Sequence, residues 1–108
     1  MIYSNSVDAL TAIAEPRRRR VVEILARRGR LSASQIYQEF DVTPQAMSQH
    51  LRVLREADVL QVERKAQQRL YSLNPRSMDQ IQGWAVQMAR LWLSRLDRLD
   101  KALIEGAK

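Results

Sequence analysis

The sequence contains no cysteine and a single histidine, His50. Without cysteine, disulfide bonds, thiolate catalysis and zinc sites built on cysteine are excluded, and one histidine cannot supply a two-histidine metal motif. No motif pairs His50 with a nucleophile or a second base, so a packed, hydrogen-bonded histidine or a single phosphate contact is favoured over a catalytic base. We therefore expect neither an enzyme nor a protein that holds a metal ion or another cofactor.

Long apolar runs are also missing, and the N-terminal residues lack the basic and apolar segments of a secretory signal. A membrane-spanning helix needs about 20 apolar residues in succession, and a signal peptide needs an apolar stretch before a small-residue cleavage site. We expect a cytoplasmic protein that does not cross a membrane.

Only three glycines and three prolines interrupt the 108 residues, which leaves few tight turns and favours helices. Single domains usually span about 50 to 200 residues, so residues 1–108 are expected to form one domain. With 18 Lys and Arg against 12 Asp and Glu, the formal charge is +6. This charge favours a polyanionic partner, with nucleic acid first and an anionic membrane second.

Apolar spacing and capping residues predict a series of helices in the first half of the chain. The first covers residues 7–14, and the second begins at Pro16 and ends at Gly29, because proline suits a first turn and glycine a helix end. Ser32 caps a third helix over residues 33–40, and Thr43 caps a fourth that ends near residue 57. About three residues join these two, the spacing of a helix-turn-helix motif over about residues 32–57.

After Asp58 the pattern changes to short β-strands. Val59, Leu60 and Val62, and then residues 70–73, are β-forming and flank a charged tip, which predicts a hairpin over about residues 59–73. The tip has no Asn-Gly or Asp-Gly pair, so we expect a loop of about four residues and not a two-residue turn. A long final helix follows over about residues 75–105.

The final helix carries an apolar stripe that is wider than one face. Its apolar residues recur every three or four positions and include both tryptophans. A helix that is apolar over more than one face needs two surfaces to cover it, here its own core and a second copy of the chain. The predicted dimer contacts on this helix are Trp84, Met88, Trp92, Leu96, Leu99 and Leu103. Asp97 and Asp100 alternate with basic residues, which disfavours both a cation site and a membrane-surface role.

The fourth predicted helix has two different faces on a helical wheel. Met47, His50, Leu51 and Leu54 share one arc, and the opposite arc holds Gln45, Ser48, Gln49, Arg52 and Glu56. Glutamine and arginine can pair with adenine and guanine edges in the major groove, and serine can serve either base. These residues could simply solvate an amphipathic helix, but their position after a capped helix and a short turn predicts a recognition helix.

Two groups of basic residues are predicted to contact phosphates. Arginines 17 to 20 lie in the first turn of the second helix, where the helix dipole disfavours each cation by about 0.3 to 1 kcal/mol and phosphates would relieve that cost. At least two of the four are expected to lie along the domain itself instead. Arg64, Lys65 and Arg69 flank the hairpin tip, which could follow a phosphate backbone, enter a minor groove or simply be soluble.

Three strings of the sequence resemble the ArsR family of winged helix-turn-helix bacterial repressors. They are AIAEPRRRRVVEIL at residues 12–25, VTPQAMSQHLRVLREADVL at 42–60 and RLYSL at 69–73. The chain is most similar to the branch without metal-binding cysteines, whose tail carries spaced tryptophans and then a leucine stripe. The resemblance implies a winged helix-turn-helix fold, mainly α with a small β-hairpin and a long C-terminal dimerisation helix. It also implies a homodimer joined through the first helix, with Leu10, and the last helix.

By the same resemblance, the DNA-contacting stretch corresponds to Thr43, Gln45, Ser48, Gln49 and His50, and the wing to residues 64–69. With Arg17, Arg18 and Arg52, these complete the predicted DNA contacts. Glu15 stands where the family more often has aspartate, and Ala66 replaces the glycine expected at the wing tip. The ligands of the metal-sensing members are absent, so no metal site is expected.

The sequence features are consistent with two functions. The first is a sequence-specific regulator of transcription, a homodimeric repressor that binds double-stranded DNA at an inverted repeat until a signal or a partner releases it. The alternative is a winged-helix module that binds protein and uses its basic face only incidentally.

Overall fold

The structure, a computed structural model, describes residues 8–106. Within this range the elements are α1 (Ala9–Ala14), α2 (Pro16–Arg28), β1 (Leu31–Ser32), α3 (Ala33–Tyr37), α4 (Pro44–Glu56), β2 (Leu60–Lys65), β3 (Gln68–Leu73) and α5 (Pro75–Gly106). The strands form one antiparallel sheet in the order β1-β3-β2. The fold is thus mainly helical with a small sheet, as predicted. Contacts divide the chain into two units, one that ends at Met78 and one that begins at Asp79.

The helices of the first unit begin at side chains that satisfy free backbone amides. Ser32 and Gln35 form a reciprocal capping box at the start of α3, with hydrogen bonds of 3.2 and 2.8 Å, and Thr43 Oγ1 accepts from the amide of Ala46 at 3.2 Å at the start of α4. Such caps replace hydrogen bonds that the first turn cannot make internally. Asp8 caps α1; the predicted start at Val7 lies outside the described residues.

The core of the first unit lies between α1, α2, α3, α4 and the sheet. Helix α4 contributes Met47, Leu51 and Leu54, each at most 2% exposed, so the apolar arc predicted from its periodicity is confirmed. The remaining buried apolar residues are Ala12, Val21, Leu25, Leu31, Ile36, Val59, Leu60 and Tyr71.

The connection between α3 and α4 is longer than predicted. Helix α3 ends at Tyr37 and not at Phe40, so residues 38–43 join the two helices. The amides of Glu39 and Phe40 donate to the carbonyls of Ile36 and Tyr37, three residues back, at 3.0 and 3.2 Å. These are bonds of the tighter 3₁₀ type, which commonly finish a helix. The apolar spacing alone therefore extended the helix by one turn too far.

The tip of the hairpin also differs from the prediction. Lys65 pairs directly with Gln68, so Ala66 and Gln67 alone make the turn and the predicted four-residue loop is wrong. Ala66 has a φ of 56°, the left-handed conformation that glycine or asparagine usually supplies in such a turn. An alanine can adopt it, but at a cost in energy, and no local sequence pattern predicts it. Strand β1, only two residues long, was not predicted either.

The second unit, residues 79–106, is the main part of α5. Every residue of α5 beyond Ile81 is exposed. At 100° per residue, its apolar side chains cover roughly 220° of the helix circumference. The large ones are Trp84, Val86, Met88, Leu91, Trp92, Leu93, Leu96, Leu99, Leu103 and Ile104. No helix among residues 8–106 has the length and apolar character to cross a membrane.

Candidate nucleic-acid interface

Helix α4 presents a continuous polar surface on the side opposite its buried residues. Thr43, Gln45, Ser48, Gln49 and Arg52 are all exposed, as the sequence predicted. Arg52 Nε bonds Glu56 Oε1 at 3.1 Å, one turn along the same helix. Exposed pairs of this kind contribute only about 0.3 to 0.5 kcal/mol, so the guanidinium can exchange this carboxylate for another anion. Amide, hydroxyl and guanidinium groups thus stand together on one accessible face.

The C-terminal end of α4 is joined firmly to the hairpin that follows. Asp58 has a φ of 61° and turns the chain, after which the amide of Val59 donates to the carbonyl of Leu54 at 2.9 Å. The amide of Asn74, past the hairpin, donates to the carbonyl of Val59 at 2.9 Å, and the buried Ser77 hydroxyl bonds the carbonyl of Asp58. These bonds fix both ends of the hairpin to the end of α4.

The hairpin tip concentrates positive charge. Arg64, Lys65 and Arg69 are exposed, and Arg64 and Arg69 lie directly opposite each other in the sheet register. Like charges at opposed positions of an antiparallel pair destabilise it. Glu63 does not neutralise them, since its carboxylate pairs with Arg30. The arrangement therefore favours an anion beside the tip.

The four consecutive arginines of α2 have different surroundings. Arg18 is half-buried and its Nε donates to the carbonyl of Ala12 at 2.7 Å, while the guanidinium carbon of Arg20 lies 6.0 Å from the centre of the Phe40 ring. Arg18 is therefore held by the domain, whereas Arg20 is exposed and lies near a single aromatic ring. Arg17 is exposed, with Nη1 3.8 Å from Glu15 Oε1. Of the two predicted phosphate contacts here, Arg17 is exposed and Arg18 is half-buried.

His50 is packed against residues at the junction of α1 and α2. Its Nδ1 lies 3.4 Å from Arg18 Nη1 and 3.8 Å from Glu15 Oε2, and its side chain is 19% exposed. Glu15 Oε2 also accepts from the amide of Arg18 at 2.9 Å, which caps α2. The structure therefore separates His50 from the exposed residues of α4 with which the resemblance grouped it.

Glu15 has an electrostatic role that was not predicted from the sequence. Desolvation raises the pKa of its carboxyl, but the hydrogen bonds from the amides of Arg18 and Arg17 and the charges of His50 and Arg18 outweigh it, so the pKa lies below its usual value. Hydrogen bonds and cations stabilise the charged form of a carboxyl group. In the sequence, Glu15 was visible only as the residue at the family's usual aspartate position.

Comparison with known proteins agrees with this geometry. A family described as a helix-turn-helix domain matches residues 13–63. Over 77 residues, the chain is 33% identical to the transcriptional repressor SdpR of Bacillus subtilis (strain 168), an alignment that covers 71% of this chain and 84% of SdpR. The chain belongs to the ArsR family of transcriptional regulators.

Solved structures agree with this assignment. A crystal structure of a possible transcriptional regulator for arsenical resistance is 34% identical, with a TM-score of 0.69, and the match covers 86% of this chain and 93% of that one. An ArsR family regulator with 22% identity has the same fold, with a TM-score of 0.69 over 80% of this chain and 88% of its own. The chain is thus a winged helix-turn-helix regulator of transcription that binds DNA, with α3 and α4 as the helix-turn-helix and β2 and β3 as the wing.

Proposed function

We propose that the chain is a homodimeric repressor that binds an inverted-repeat operator, with α4 as its recognition helix. The observation that carries the proposal is the accessible polar face of α4. Gln45, Ser48 and Gln49 are exposed on it, and amide and hydroxyl groups of this kind can read base edges in the major groove. Thr43, at the N-terminus of the helix, and Arg52 flank these readers.

In this proposal the wing and Arg17 hold the DNA backbone. The opposed Arg64 and Arg69, with Lys65 beside them, form a cationic tip whose repulsion a phosphate would relieve. Phosphate contacts fix the position of a protein on the duplex but carry no sequence information. The wing therefore contributes affinity to every sequence, and α4 discriminates among sequences.

Dimerisation is assigned to α5 together with α1. Trp84 and Trp92 are 50% and 59% exposed, and the stripe continues through Met88, Leu96, Leu99 and Leu103. Exposed apolar surface of this extent marks an interaction site. A second copy of the chain supplies the same apolar helix to cover this surface. The resulting two-fold dimer predicts an operator with two-fold symmetry, since operator symmetry mirrors that of the dimer. Leu10 on α1 is half-buried and is the expected contribution of that helix.

The experiment is selection of bound sequences from a library of random duplexes with the full chain. We expect enrichment of a palindromic consensus, because two equal recognition helices read two equal half-sites. Affinity for this consensus is expected to fall steeply with salt, with a log-log slope of about 0.9 per neutralised phosphate. Enrichment of nothing would favour the alternative, a winged-helix module that binds protein. Repression itself is tested with a reporter gene behind the selected sequence.

The remaining features follow from the role on DNA. A bacterial regulator of this kind acts in the cytoplasm, where the chromosome lies, and needs neither catalytic residues nor a cofactor. In this proposal a signal or a partner releases the repressor from its operator.

A further inference from the structure

We infer that Glu15 and Arg18 act through His50 to hold α4 in the position that specific DNA binding requires, and that none of the three contacts DNA. The three side chains are called the α2–α4 bracket here. The inference rests on the proposed function, since it assigns positioning residues to the same recognition helix.

The bracket joins three helices at one point. Arg18 Nε donates to the carbonyl of Ala12 on α1 at 2.7 Å, and its Nη1 lies 3.4 Å from His50 Nδ1 on α4. Glu15 Oε2 accepts from the amide of Arg18 and lies 3.8 Å from the same Nδ1. The backbone of α1, the start of α2 and the middle of α4 are therefore tied together by polar contacts of two side chains with one ring.

Because His50 lies on α4, the bracket can hold the accessible polar face of this helix, called the reading face, in position. His50 follows Gln49 directly and lies two residues after Ser48, so a restraint on His50 acts on the same turn of the helix that carries both. Base pairing by side chains demands close geometry, and a site is held within about 0.5 Å only when supporting residues lock it. The apolar core behind Met47 and Leu51 resists separation of α4 from the domain, and the polar contact between Arg18 Nη1 and His50 Nδ1 adds a restraint on rotation and sliding of the helix.

The charged groups of the bracket have partners within the domain. The carboxylate of Glu15 faces His50, Arg18 and, at 3.8 Å from Oε1, the guanidinium of Arg17. Side chains of Glu15 and His50 are only 26% and 19% exposed. A group that already has partners inside the domain and little accessible surface has little to offer a phosphate, unlike the exposed cations of the wing.

The test compares His50→Ala and Glu15→Gln with the unaltered chain, using the selected duplex and a random duplex over a range of salt. The matched control is Glu23→Gln, the same charge change at an exposed position of the same helix. Because Glu15→Gln could weaken the cap of α2, Glu15→Asn serves as a second variant that removes the charge and keeps a good capping residue. Affinities are measured at a temperature at which circular dichroism shows each variant folded.

Each bracket variant is expected to lower affinity for the selected duplex about tenfold, the effect of losing one well-formed base contact, with affinity for the random duplex and the salt slope unchanged. The sign for Glu15→Gln is diagnostic. Removing a negative charge from a DNA-binding protein should raise its affinity for a polyanion, as expected weakly for Glu23→Gln, so a loss points to positioning. The double variant of Glu15 and His50 is expected to lose no more than the larger single loss, because both act through one contact.

Three results would overturn the inference. A salt slope reduced by about 0.9 per protomer in His50→Ala would make His50 a phosphate contact. Loss of preference at a single base position in that variant would make it a base reader. An affinity of Glu15→Gln equal to or above that of Glu23→Gln would remove Glu15 from the mechanism. If the unaltered chain itself prefers no DNA sequence, the proposed function fails and the inference fails with it. This outcome is distinguishable from the three above, because it is seen without any substitution.

Discussion

Replacement of Arg64 by alanine should weaken binding to all DNA sequences alike, whereas replacement of Gln49 by alanine should weaken only binding to the operator. Arg64 lies at the wing tip opposite Arg69, and Gln49 lies on the exposed face of α4. A lost phosphate contact changes the salt slope by about 0.9, so a dimer that carries Arg64→Ala twice should lose about 1.8 from its log-log slope. Its deficit should then be about 12-fold larger at about 50 mM salt than at about 200 mM.

Gln49→Ala should give the opposite pattern. Losing an amide that pairs with a base costs roughly 1 to 3 kcal/mol for the preferred sequence and leaves the salt slope unchanged, because no counterions are involved. The assay is fluorescence anisotropy with the selected and a random duplex over several salt concentrations. Arg27→Ala is the control for charge, since Arg27 is an exposed cation on α2 outside the predicted contacts.

The folding of Arg64→Ala should not be impaired, because the change removes a repulsive cross-strand pair. A lower affinity in this variant can therefore be attributed to the DNA contact. If Arg64→Ala and Gln49→Ala changed affinity, salt slope and sequence preference in the same way, the division of roles between wing and helix would be wrong.

Further predictions concern the dimer and the stability of the fold. Leu96→Arg places a charge in the exposed apolar stripe of α5 and should yield monomers in light scattering, while a native chain that is already a stable monomer would refute the assignment of α5 to dimerisation. Leu54→Ala should reduce the free energy of unfolding in urea by about 2 to 5 kcal/mol, because Leu54 is fully buried and a cavity would remain. A loss below about 1 kcal/mol would contradict this, since it would mean that the core closes the cavity at this site. Ala66→Gly should raise that free energy by roughly 0.5 to 1 kcal/mol, since glycine adopts the φ of 56° without strain, and a decrease would count against the left-handed turn. The pKa of Glu15 lies below its usual value in the folded state, so the contribution of Glu15 to stability is present above the unfolded-state pKa and is lost as pH falls through the folded-state pKa. In acid titrations followed by circular dichroism, Glu15→Gln should lack this part of the pH dependence of stability. Identical titration profiles of Glu15→Gln and the unaltered chain would contradict this role of Glu15.

Much of the helical framework could be predicted from the sequence. Pro16, Ser32 and Thr43 mark helix starts as predicted, and Gly29, with a φ of 87°, ends α2. The spacing of Met47, Leu51 and Leu54 fixed which face of α4 is buried, and so also which residues form the candidate reading face. These features depend on interactions within about four residues along the chain, which a sequence displays directly.

The prediction failed where short segments depend on distant partners. Strand β1 exists because Leu31 and Ser32 pair with Tyr71 and Leu70, and two residues are too few to show a period. The tight turn at Ala66 exists because the register of β2 and β3 closes at Lys65 and Gln68. A residue with poor turn propensity is then held in the turn by the pairing on either side.

The amino-acid sequence by itself determined where α2, α3 and α4 begin, the two faces of α4 and the cationic wing, because each is set by residues that are close neighbours along the chain. The helical wheel of α4 already placed His50 on the buried side, but only the tertiary structure decided that its partners there are Arg18 and Glu15, and that Arg18 supports the fold while Arg17 is exposed. The physical reason is that these contacts join α1, α2 and α4 across more than thirty residues of chain, as in the pair of Arg18 and His50. No local sequence pattern encodes such a long-range contact, because it forms only when the whole domain packs.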